Sequence, residues 1–236
     1  MFVTGGATGI GADIVRAFAA QGSKVAFVDL LEAEGNALAS EVGGLFMRCD
    51  VTDIGALKAT IARAGTELGP IGVLVNNAAN DDRHAIDDVT EEYWDWSQSI
   101  NLKPQFFASQ AVRSQMQQLG GGSIVNFSSI AWRGGAENMP SYATAKAGIV
   151  GLTRALGRGF GVDNIRVNAI EPGAVITERQ KQLWFKTQES IDAVVSRQPI
   201  KRVLLGEEIA RTVLFLGSDD SRMITKQSIT VDAGLR

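Results

Sequence analysis

Phe2-Val3-Thr4-Gly5-Gly6-Ala7-Thr8-Gly9-Ile10-Gly11 opens the chain and indicates its fold. A very short apolar strand leads directly into a glycine-rich turn, and an amphipathic helical pattern continues to about Gln21. Glycines at positions 5, 9 and 11 allow a tight turn, close approach of the backbone to a phosphate, and close packing of helix on strand. The free N–H groups of the helix N-terminus would attract a pyrophosphate. The stretch therefore predicts a strand–turn–helix unit that binds a dinucleotide.

Strand and helix patterns alternate through the rest of the chain. We expect strands at residues 2–4, 23–28, 45–49, 71–75, 123–127, 165–170 and 228–231, with the third and fourth buried. Helical patterns separate them, and no linker divides the chain. This pattern predicts one α/β domain over residues 1–236, a three-layer, doubly wound (Rossmann-like) sheet of about seven parallel strands. A more polar helical segment at 178–197 is predicted to be a mobile lid over the substrate.

Composition excludes several classes of protein. A formal net charge of −3 argues against a partner that presents a phosphate backbone, so we expect no nucleic-acid binding. Cys49 is the single cysteine and His84 the single histidine, which leaves no intrachain disulfide and argues against a metal site. No apolar run approaches the roughly 20 residues of a membrane span. We therefore expect a cytoplasmic protein with no membrane partner.

The stretch Ser141-Tyr142-Ala143-Thr144-Ala145-Lys146 carries a candidate catalytic pair. Residues at i and i+4 lie on one helix face, so Tyr142 and Lys146 can point into the same cavity. A nearby ammonium favours the phenolate and should lower the pKa of Tyr142 from its usual value of about 10. Alone, this pattern is more often an ordinary solvated helix. Its context in the chain favours catalysis.

Polar residues follow several predicted strands at their carboxyl ends, where ligands of such sheets bind. Asp29 can accept both hydroxyls of an adenosine ribose, although a strand-end aspartate can also simply cap a turn. Leu30 stands where an arginine would favour NADP, so we predict NAD. Asp50 could meet the adenine amino group, Asn77 could brace the neighbouring turns, and Ser129 would enter the crevice.

These motifs together resemble the short-chain dehydrogenase/reductase family over essentially the whole chain. The resemblance is carried by Thr4-Gly5-x-x-x-Gly9-x-Gly11, Asn76-Asn77-Ala78, Ser129, Tyr142-x-x-x-Lys146 and Pro172-Gly173 with Thr177. It implies a catalytic tetrad of Asn101, Ser129, Tyr142 and Lys146. It also implies a cofactor site formed by Gly5, Gly9, Ile10, Gly11, Asp29, Asp50, Val51, Asn77, Tyr142, Lys146, Pro172, Gly173, Val175 and Thr177.

The chain departs from the family pattern in two places. Ala79 stands where the family usually has glycine, and family members usually carry several residues before the first strand. The resemblance further implies a homotetramer built partly from the helix after Tyr142, where Ala147 and Gly148 would allow close contact.

Within the family, the chain resembles the NAD(P)-dependent aldose 1-dehydrogenases. This resemblance is carried by Asn80-Asp81-Asp82-Arg83-His84, Trp94-Asp95, the stretch 101–107, Thr177-Glu178-Arg179-Gln180 with Trp184, and the stretch 232–236. A sugar needs charged or amide side chains for its hydroxyls and an aromatic face for its C–H side. The candidates for these contacts are Asp81, Arg83, Ser129, Trp132, Glu137, Arg179 and Trp184. For each one, a solvated loop is an equally good explanation. His84 is better explained as an ordinary loop histidine.

The resemblance implies that Tyr142 takes a proton from the anomeric hydroxyl while hydride leaves for the nicotinamide. Ser129 would hold the reacting oxygen, Lys146 would assist the phenol, and Asn101 would hold a water. Two alternatives stay open. One is another alcohol or ketone as substrate, such as a 3-oxoacyl thioester, a steroid or a polyol. The other is a non-enzymatic nucleotide sensor or scaffold, which predicts the loss of a tetrad member.

Overall fold

The computed structural model describes residues 1–236 and contains one seven-stranded sheet, in which every neighbouring pair of strands is parallel. The strands are β1 (Phe2–Thr4), β2 (Ala26–Asp29), β3 (Leu45–Arg48), β4 (Val73–Asn76), β5 (Gly122–Phe127), β6 (Ile165–Pro172) and β7 (Ser228–Val231). Their order is β3-β2-β1-β4-β5-β6-β7. The predicted doubly wound α/β fold is confirmed.

Helices cover both faces of the sheet, which makes the three layers. They are α1 (Gly9–Ala20), α2 (Glu32–Val42), α3 (Ile54–Leu68), α4 (Glu91–Asn101), α5 (Lys103–Gln118), α6 (Ala131–Gly134), α7 (Pro140–Phe160), α8 (Glu178–Leu183), α9 (Gln188–Arg197) and α10 (Gly206–Gly217). Two separate apolar cores result, one containing Ile14 of α1 and Ile209 of α10, the other containing Leu57 of α3 and Val112 of α5. No helix is long and apolar enough to cross a membrane.

Three local expectations are corrected by the structure. The strand predicted at 45–49 is not fully buried, because β3 forms an edge of the sheet and leaves Arg48 exposed. The strand predicted from Ser23 begins only at Ala26. The polar segment 178–197 is two helices rather than one, because the chain breaks after α8 and Thr187 caps a new helix through a hydrogen bond from the Ser190 N–H.

The chain order reverses between β1 and β4, and this reversal opens a crevice at the carboxyl edge of the sheet. Buried amides hold the strands together just below that edge. Nδ2 of Asn76 donates to Oδ1 of Asn126 at 2.9 Å, and Nδ2 of Asn126 donates to Thr153 of α7 at 3.0 Å. Because each buried polar group has a partner, the network fixes β4, β5 and α7 relative to one another.

Candidate active site

The glycine-rich turn joins β1 to α1 and has the shape of a phosphate cradle. Gly5 and Gly9 adopt positive φ angles of 65° and 54°, which L side chains rarely take. A Cβ on Gly11 would lie 1.9 Å from the carbonyl oxygen of Gly5, so no side chain fits there. No side chain caps the N-terminus of α1, which leaves its first N–H groups available to an anion. The residues present therefore fit a dinucleotide pyrophosphate.

Asn77 braces this turn from the end of the neighbouring strand. Its Nδ2 donates to the carbonyl oxygens of Thr4 at 3.1 Å and Gly5 at 2.8 Å, while its backbone N–H donates to the Thr4 hydroxyl at 3.1 Å. The structure thus gives Asn77 a role through the turn that would hold the cofactor. Its predicted direct contact with the cofactor stays a prediction.

Asp29, at the end of β2, accepts three backbone hydrogen bonds. Oδ2 accepts from the N–H of Ala7 at 3.0 Å, and Oδ1 accepts from the N–H groups of Leu30 at 2.8 Å and Leu31 at 3.2 Å. Asp29 therefore caps its own turn and also ties the glycine-rich turn to β2. Oδ2 keeps a lone pair for a ribose hydroxyl.

The predicted adenine end lies on the edge strand. Asp50 is exposed, and its Oδ1 accepts from the backbone N–H and the hydroxyl of Thr52 at 2.9 and 2.8 Å, while Val51 is buried. Arg48 of β3 lies opposite Asp29 in the strand register. Sequence reasoning missed Arg48, because only the register places this cation beside the residue that would meet the ribose.

The loop after β6 faces the glycine-rich turn from the other side of the crevice. A Cβ on Gly9 would lie 3.4 Å from Cγ2 of Thr177, so the two segments nearly touch. The N–H of Ile130 donates to the carbonyl oxygen of Pro172 at 3.2 Å, Val175 is buried, and a Cβ on Gly173 would lie 2.7 Å from Cα of Asp232. The predicted cofactor residues of both segments therefore border one crevice.

Tyr142 and Lys146 lie one turn apart near the start of α7, as the i, i+4 spacing predicts. Nζ of Lys146 lies 5.3 Å from the centroid of the Tyr142 ring. The lysine is 1% exposed, and its Nζ donates to the carbonyl oxygen of Phe127 at 2.8 Å. The hydroxyl of Ser128 donates to the carbonyl oxygen of Lys146 at 2.7 Å, so α7 is fastened to the end of β5 at this point.

The pKa of Tyr142 differs from the sequence-based expectation. Burial raises the pKa of the phenol, and the carboxylate of Asp81 raises it further, while a hydrogen bond with Ser129 and the Arg179 guanidinium lower it. The expected lowering by Lys146 is therefore wrong for the protein alone. The physical reason is that removing a phenolate from water costs more free energy than Ser129 and Arg179 supply by stabilising it.

Lys146 is perturbed in the opposite direction. Burial lowers the pKa of its ammonium to about 7, and Asp81 partly opposes this by raising it. The sequence predicts only that the Lys146 ammonium favours the Tyr142 phenolate. Its burial among the ends of β5 and α7 makes it a group that titrates near neutral pH.

Asn101 is the last residue of α4, where the chain breaks before α5, and it is 1% exposed. Its Oδ1 accepts from the N–H of Asn80 at 2.9 Å, and its Nδ2 donates to Ser97 at 3.4 Å. It therefore anchors the loop that carries Asp81. Its predicted role in holding a water stays a prediction.

The predicted substrate residues Asp81, Arg83, Arg179 and Trp184 form two contacting pairs. Arg179 of α8 forms an ion pair with Asp81 and approaches Asp82 at 3.3 Å. The guanidinium of Arg83 lies 4.2 Å from the centroid of the Trp184 ring. The loop before α4 and the first half of the 178–197 segment are thus joined by two independent contacts.

Several buried side-chain nitrogens on α6, at the end of α8 and in the loop before α4 have no hydrogen-bond partner in the protein. They include Nε1 of Trp132 and Nε1 of Trp184, and Nε2 of His84 is also unpartnered. Because a buried unpaired donor is costly, such groups favour a ligand with acceptor oxygens. Glu137, by contrast, is exposed.

Arg133 and Glu171 form a further pair that sequence reasoning missed. Glu171 is fully buried, and its Oε2 accepts from Nε of Arg133 at 2.5 Å. The Arg133 guanidinium lies 4.4 Å from the centroid of the Trp132 ring. The pair therefore fixes α6, the short helix that carries Trp132. No group of three or more His, Cys, Asp or Glu side chains could hold a metal ion.

Known proteins are similar to this chain over nearly its whole length. A family model described as enoyl-(acyl carrier protein) reductase matches residues 5–236. A probable galactose dehydrogenase of Rhizobium meliloti (strain 1021) is 48% identical and covers 100% of this chain and 94% of the relative. A D-xylose 1-dehydrogenase of Caulobacter vibrioides is 44% identical, with 99% and 94% covered. A crystal structure of an actinorhodin polyketide ketoreductase variant with NADPH has a TM-score of 0.91 and 30% identity, with 99% and 95% covered.

Proposed function

The chain belongs to the short-chain dehydrogenase/reductase family of nicotinamide-dependent oxidoreductases, and we propose that it oxidises the anomeric C1 hydroxyl of an aldose to the aldonolactone. The observation that carries the sugar assignment is the pair of unpartnered ring N–H groups on Trp132 and Trp184, whose rings lie against the guanidinium groups of Arg133 and Arg83. A polyhydroxylated ligand offers the acceptors that these donors lack. The names of two relatives, a galactose dehydrogenase and a xylose 1-dehydrogenase, support the same substrate class.

The residues of α7 and β5 would perform the proton chemistry. Tyr142, as phenolate, takes the proton of the anomeric hydroxyl as the C1–H bond breaks and the carbonyl forms. Ser129, which lowers the pKa of the phenol, would hold the same oxygen. The ammonium of Lys146 lies over the Tyr142 ring and adds positive charge when it is protonated. A nicotinamide cofactor, when bound, supplies the hydride acceptor.

We propose NAD as the preferred cofactor. The carboxylate of Asp29 favours the ribose diol of NAD and repels the additional phosphate of NADP. The neutral residues Ala7 and Leu30 beside it offer that phosphate no cation. Arg48 argues in the other direction, and the structural relative was crystallised with NADPH, so the preference needs measurement.

Three further expectations belong to this proposal. The segment 178–197 acts as a substrate lid, supported by the contacts of α8 with the loop at Asp81. The protein assembles as a homotetramer, supported by the exposed Gly148 on α7, and light scattering of the purified protein would test this. A cytoplasmic location stays a prediction from composition.

The decisive test is turnover of a substrate panel by the purified protein. Reduction of NAD and NADP should be followed with D-galactose, D-xylose, L-arabinose, a polyol, a 3-hydroxyacyl thioester and a steroid alcohol. We expect an aldose to have the highest kcat/KM and the trapped product to be a lactone. A higher kcat/KM for any non-sugar alcohol would overturn the aldose assignment.

A second candidate is a reductase of acyl thioesters or polyketide ketones. The description of the matching family model and the similarity to a polyketide ketoreductase favour it. The unpartnered N–H groups around the crevice argue against it, since an apolar acyl chain would leave them unpaired. The same panel separates the two candidates.

A further inference from the structure

A chain of contacts connects the lid to the catalytic residues. Arg179 of α8 forms an ion pair with Asp81, and Nε2 of Gln180 donates to Oδ2 of Asp81 at 2.7 Å. The adjacent residue, Asn80, donates its N–H to Oδ1 of Asn101 at 2.9 Å. One carboxylate therefore receives two side chains of the lid, and the loop that carries it is held by a member of the predicted tetrad.

From this geometry we propose that the Arg179–Asp81 pair is a latch that couples closure of the lid to the ability of Tyr142 to act as the base. Asp81 and Arg179 are then positioning residues for the reaction. The proposal rests on the proposed function of this site as an alcohol dehydrogenase. It replaces the direct contacts with sugar that the sequence suggested for these two residues.

Electrostatics supply the reason why such a latch would matter. The groups that shift the pKa of the Tyr142 phenol are Asp81 from the loop, Arg179 from α8 and Ser129 just after β5, and the Lys146 ammonium of α7 lies over the same ring. Asp81 opposes ionisation of the phenol, whereas Arg179 favours it. With α8 paired to the loop, as in the structure, the Arg179 guanidinium offsets part of the repulsion that the Asp81 carboxylate exerts on the phenolate. When α8 opens, Asp81 is left as an unpaired charge that keeps the phenol protonated.

This arrangement predicts opposite effects for the two halves of the pair. In Asp81→Asn the rise of kcat with pH should move to lower pH, because a charge that disfavours the phenolate is gone. In Arg179→Gln it should move to higher pH, because Asp81 keeps its charge without compensation. Each displacement should be about half a pH unit or more, and the double variant should lie between the two. Both single variants should lose about tenfold or more in kcat/KM, because the lid is no longer held.

The matched control is Lys181→Gln. Lys181 lies on the same helix and forms an exposed ion pair, but its partner Glu178 belongs to α8 itself and does not bridge to the loop. The control should leave the pH profile and kcat/KM within about twofold of the unmutated protein, as for other exposed pairs.

A second measurement does not depend on activity. Amide hydrogen exchange over residues 178–187 should be faster in Asp81→Asn and in Arg179→Gln than in Lys181→Gln. Equal exchange in all three variants would overturn the latch, as would displacement of the pH profile in the same direction by both single variants. Failure of the aldose assignment would look different. Another alcohol would then be the best substrate, while the opposite displacements and faster exchange would persist with it.

Discussion

The carboxylate of Asp29 accepts a hydrogen bond from the backbone N–H of Ala7 at 3.0 Å. The residue expected to bind the adenosine ribose therefore also fixes the glycine-rich turn that would hold the pyrophosphate. Turn capping and ribose binding were alternatives for Asp29 in the sequence. In the fold they are compatible, because a carboxylate has lone pairs enough for both.

Asp29→Ala should consequently do more than narrow the preference for NAD over NADP. We expect the Kd of NAD to rise about tenfold or more, because the turn loses its attachment to β2 as well as its ribose contact. The Kd of NADP should change less. For this cofactor, losing the repulsion between the Asp29 carboxylate and the additional phosphate offsets losing the hydrogen bond to the turn. Binding can be followed by quenching of tryptophan fluorescence, with Glu32→Ala, at the exposed start of α2, as the control.

An Arg48→Ala variant completes this test. Arg48 lies opposite Asp29 in the β2–β3 register. If this cation binds the 2′-phosphate of NADP, its removal should raise the Kd of NADP more than the Kd of NAD. Comparable kcat/KM values for the two cofactors in the unmutated protein would contradict the NAD assignment.

Tyr142→Phe should lower kcat by roughly 10²–10⁴-fold, because the proton acceptor is lost. Binding of the cofactor should remain within about threefold, since the turn and Asp29 supply most of the predicted contacts. The natural control is Tyr93→Phe, which removes the phenol that lies 2.9 Å from Nδ1 of His84. Near-normal turnover of Tyr142→Phe would show that another group is the base.

Local patterns predicted the framework of this site correctly. The glycine spacing in residues 5–11 specifies a turn whose geometry only glycine accepts, and the i, i+4 spacing of Tyr142 and Lys146 specifies a shared helix face. Both signals are contained within a few residues. They can therefore be recognised from the sequence without knowledge of the tertiary structure.

Contacts between distant segments could not be predicted in the same way. Arg179 and Asp81 are 98 positions apart and belong to segments with no periodic pattern that would align them. The pKa values of Tyr142 and Lys146 depend on burial, which the spacing of a helical pair does not reveal. The sign expected for Tyr142 was wrong for that reason.

Burial of Lys146 should reduce the stability of the protein. Its ammonium has a pKa lowered from 10.5 to about 7, and the shift corresponds to a cost on the order of 5 kcal/mol when the group is charged. Lys146→Met removes this cost but leaves the carbonyl of Phe127 without its donor, which costs about 1–3 kcal/mol. We therefore expect a gain of about 1–3 kcal/mol in the free energy of unfolding at about pH 6, together with loss of activity.

The pH dependence of that gain distinguishes it from a general packing effect. Below the folded pKa of about 7, Lys146 is charged in both states and its full cost is present. Between about 7 and 10.5 the unfolded state binds the additional proton, so the stability of the unmutated protein rises with pH. The advantage of Lys146→Met should accordingly shrink from about pH 6 to about pH 9 in urea unfolding. Lys58→Met, at an exposed lysine, should show no such trend.

The substrate prediction turns on the ring N–H groups of Trp132 and Trp184, which are buried without a partner. Trp132→Phe and Trp184→Phe keep an aromatic ring and remove the donor. If these donors bind sugar oxygens, each substitution should raise the KM for the aldose by roughly 5- to 20-fold, the effect of losing a buried hydrogen bond. The Kd of NAD should stay nearly unchanged. Trp184→Ala should cost more than Trp184→Phe, because it also removes the face on which Arg83 stacks.

Trp94→Phe provides the matched control, because Trp94 lies on α4 and is 37% exposed. It should leave the KM for the aldose unchanged. Glu137→Ala tests whether the sugar reaches an exposed loop residue. Because Glu137 is exposed, we expect the KM for the aldose to change by less than a few fold unless the sugar contacts it. If both phenylalanine variants keep a normal KM for the aldose, the unpartnered N–H groups do not bind substrate. The aldose assignment would then lose its structural support, while the dehydrogenase chemistry of Ser129, Tyr142 and Lys146 would not depend on that result.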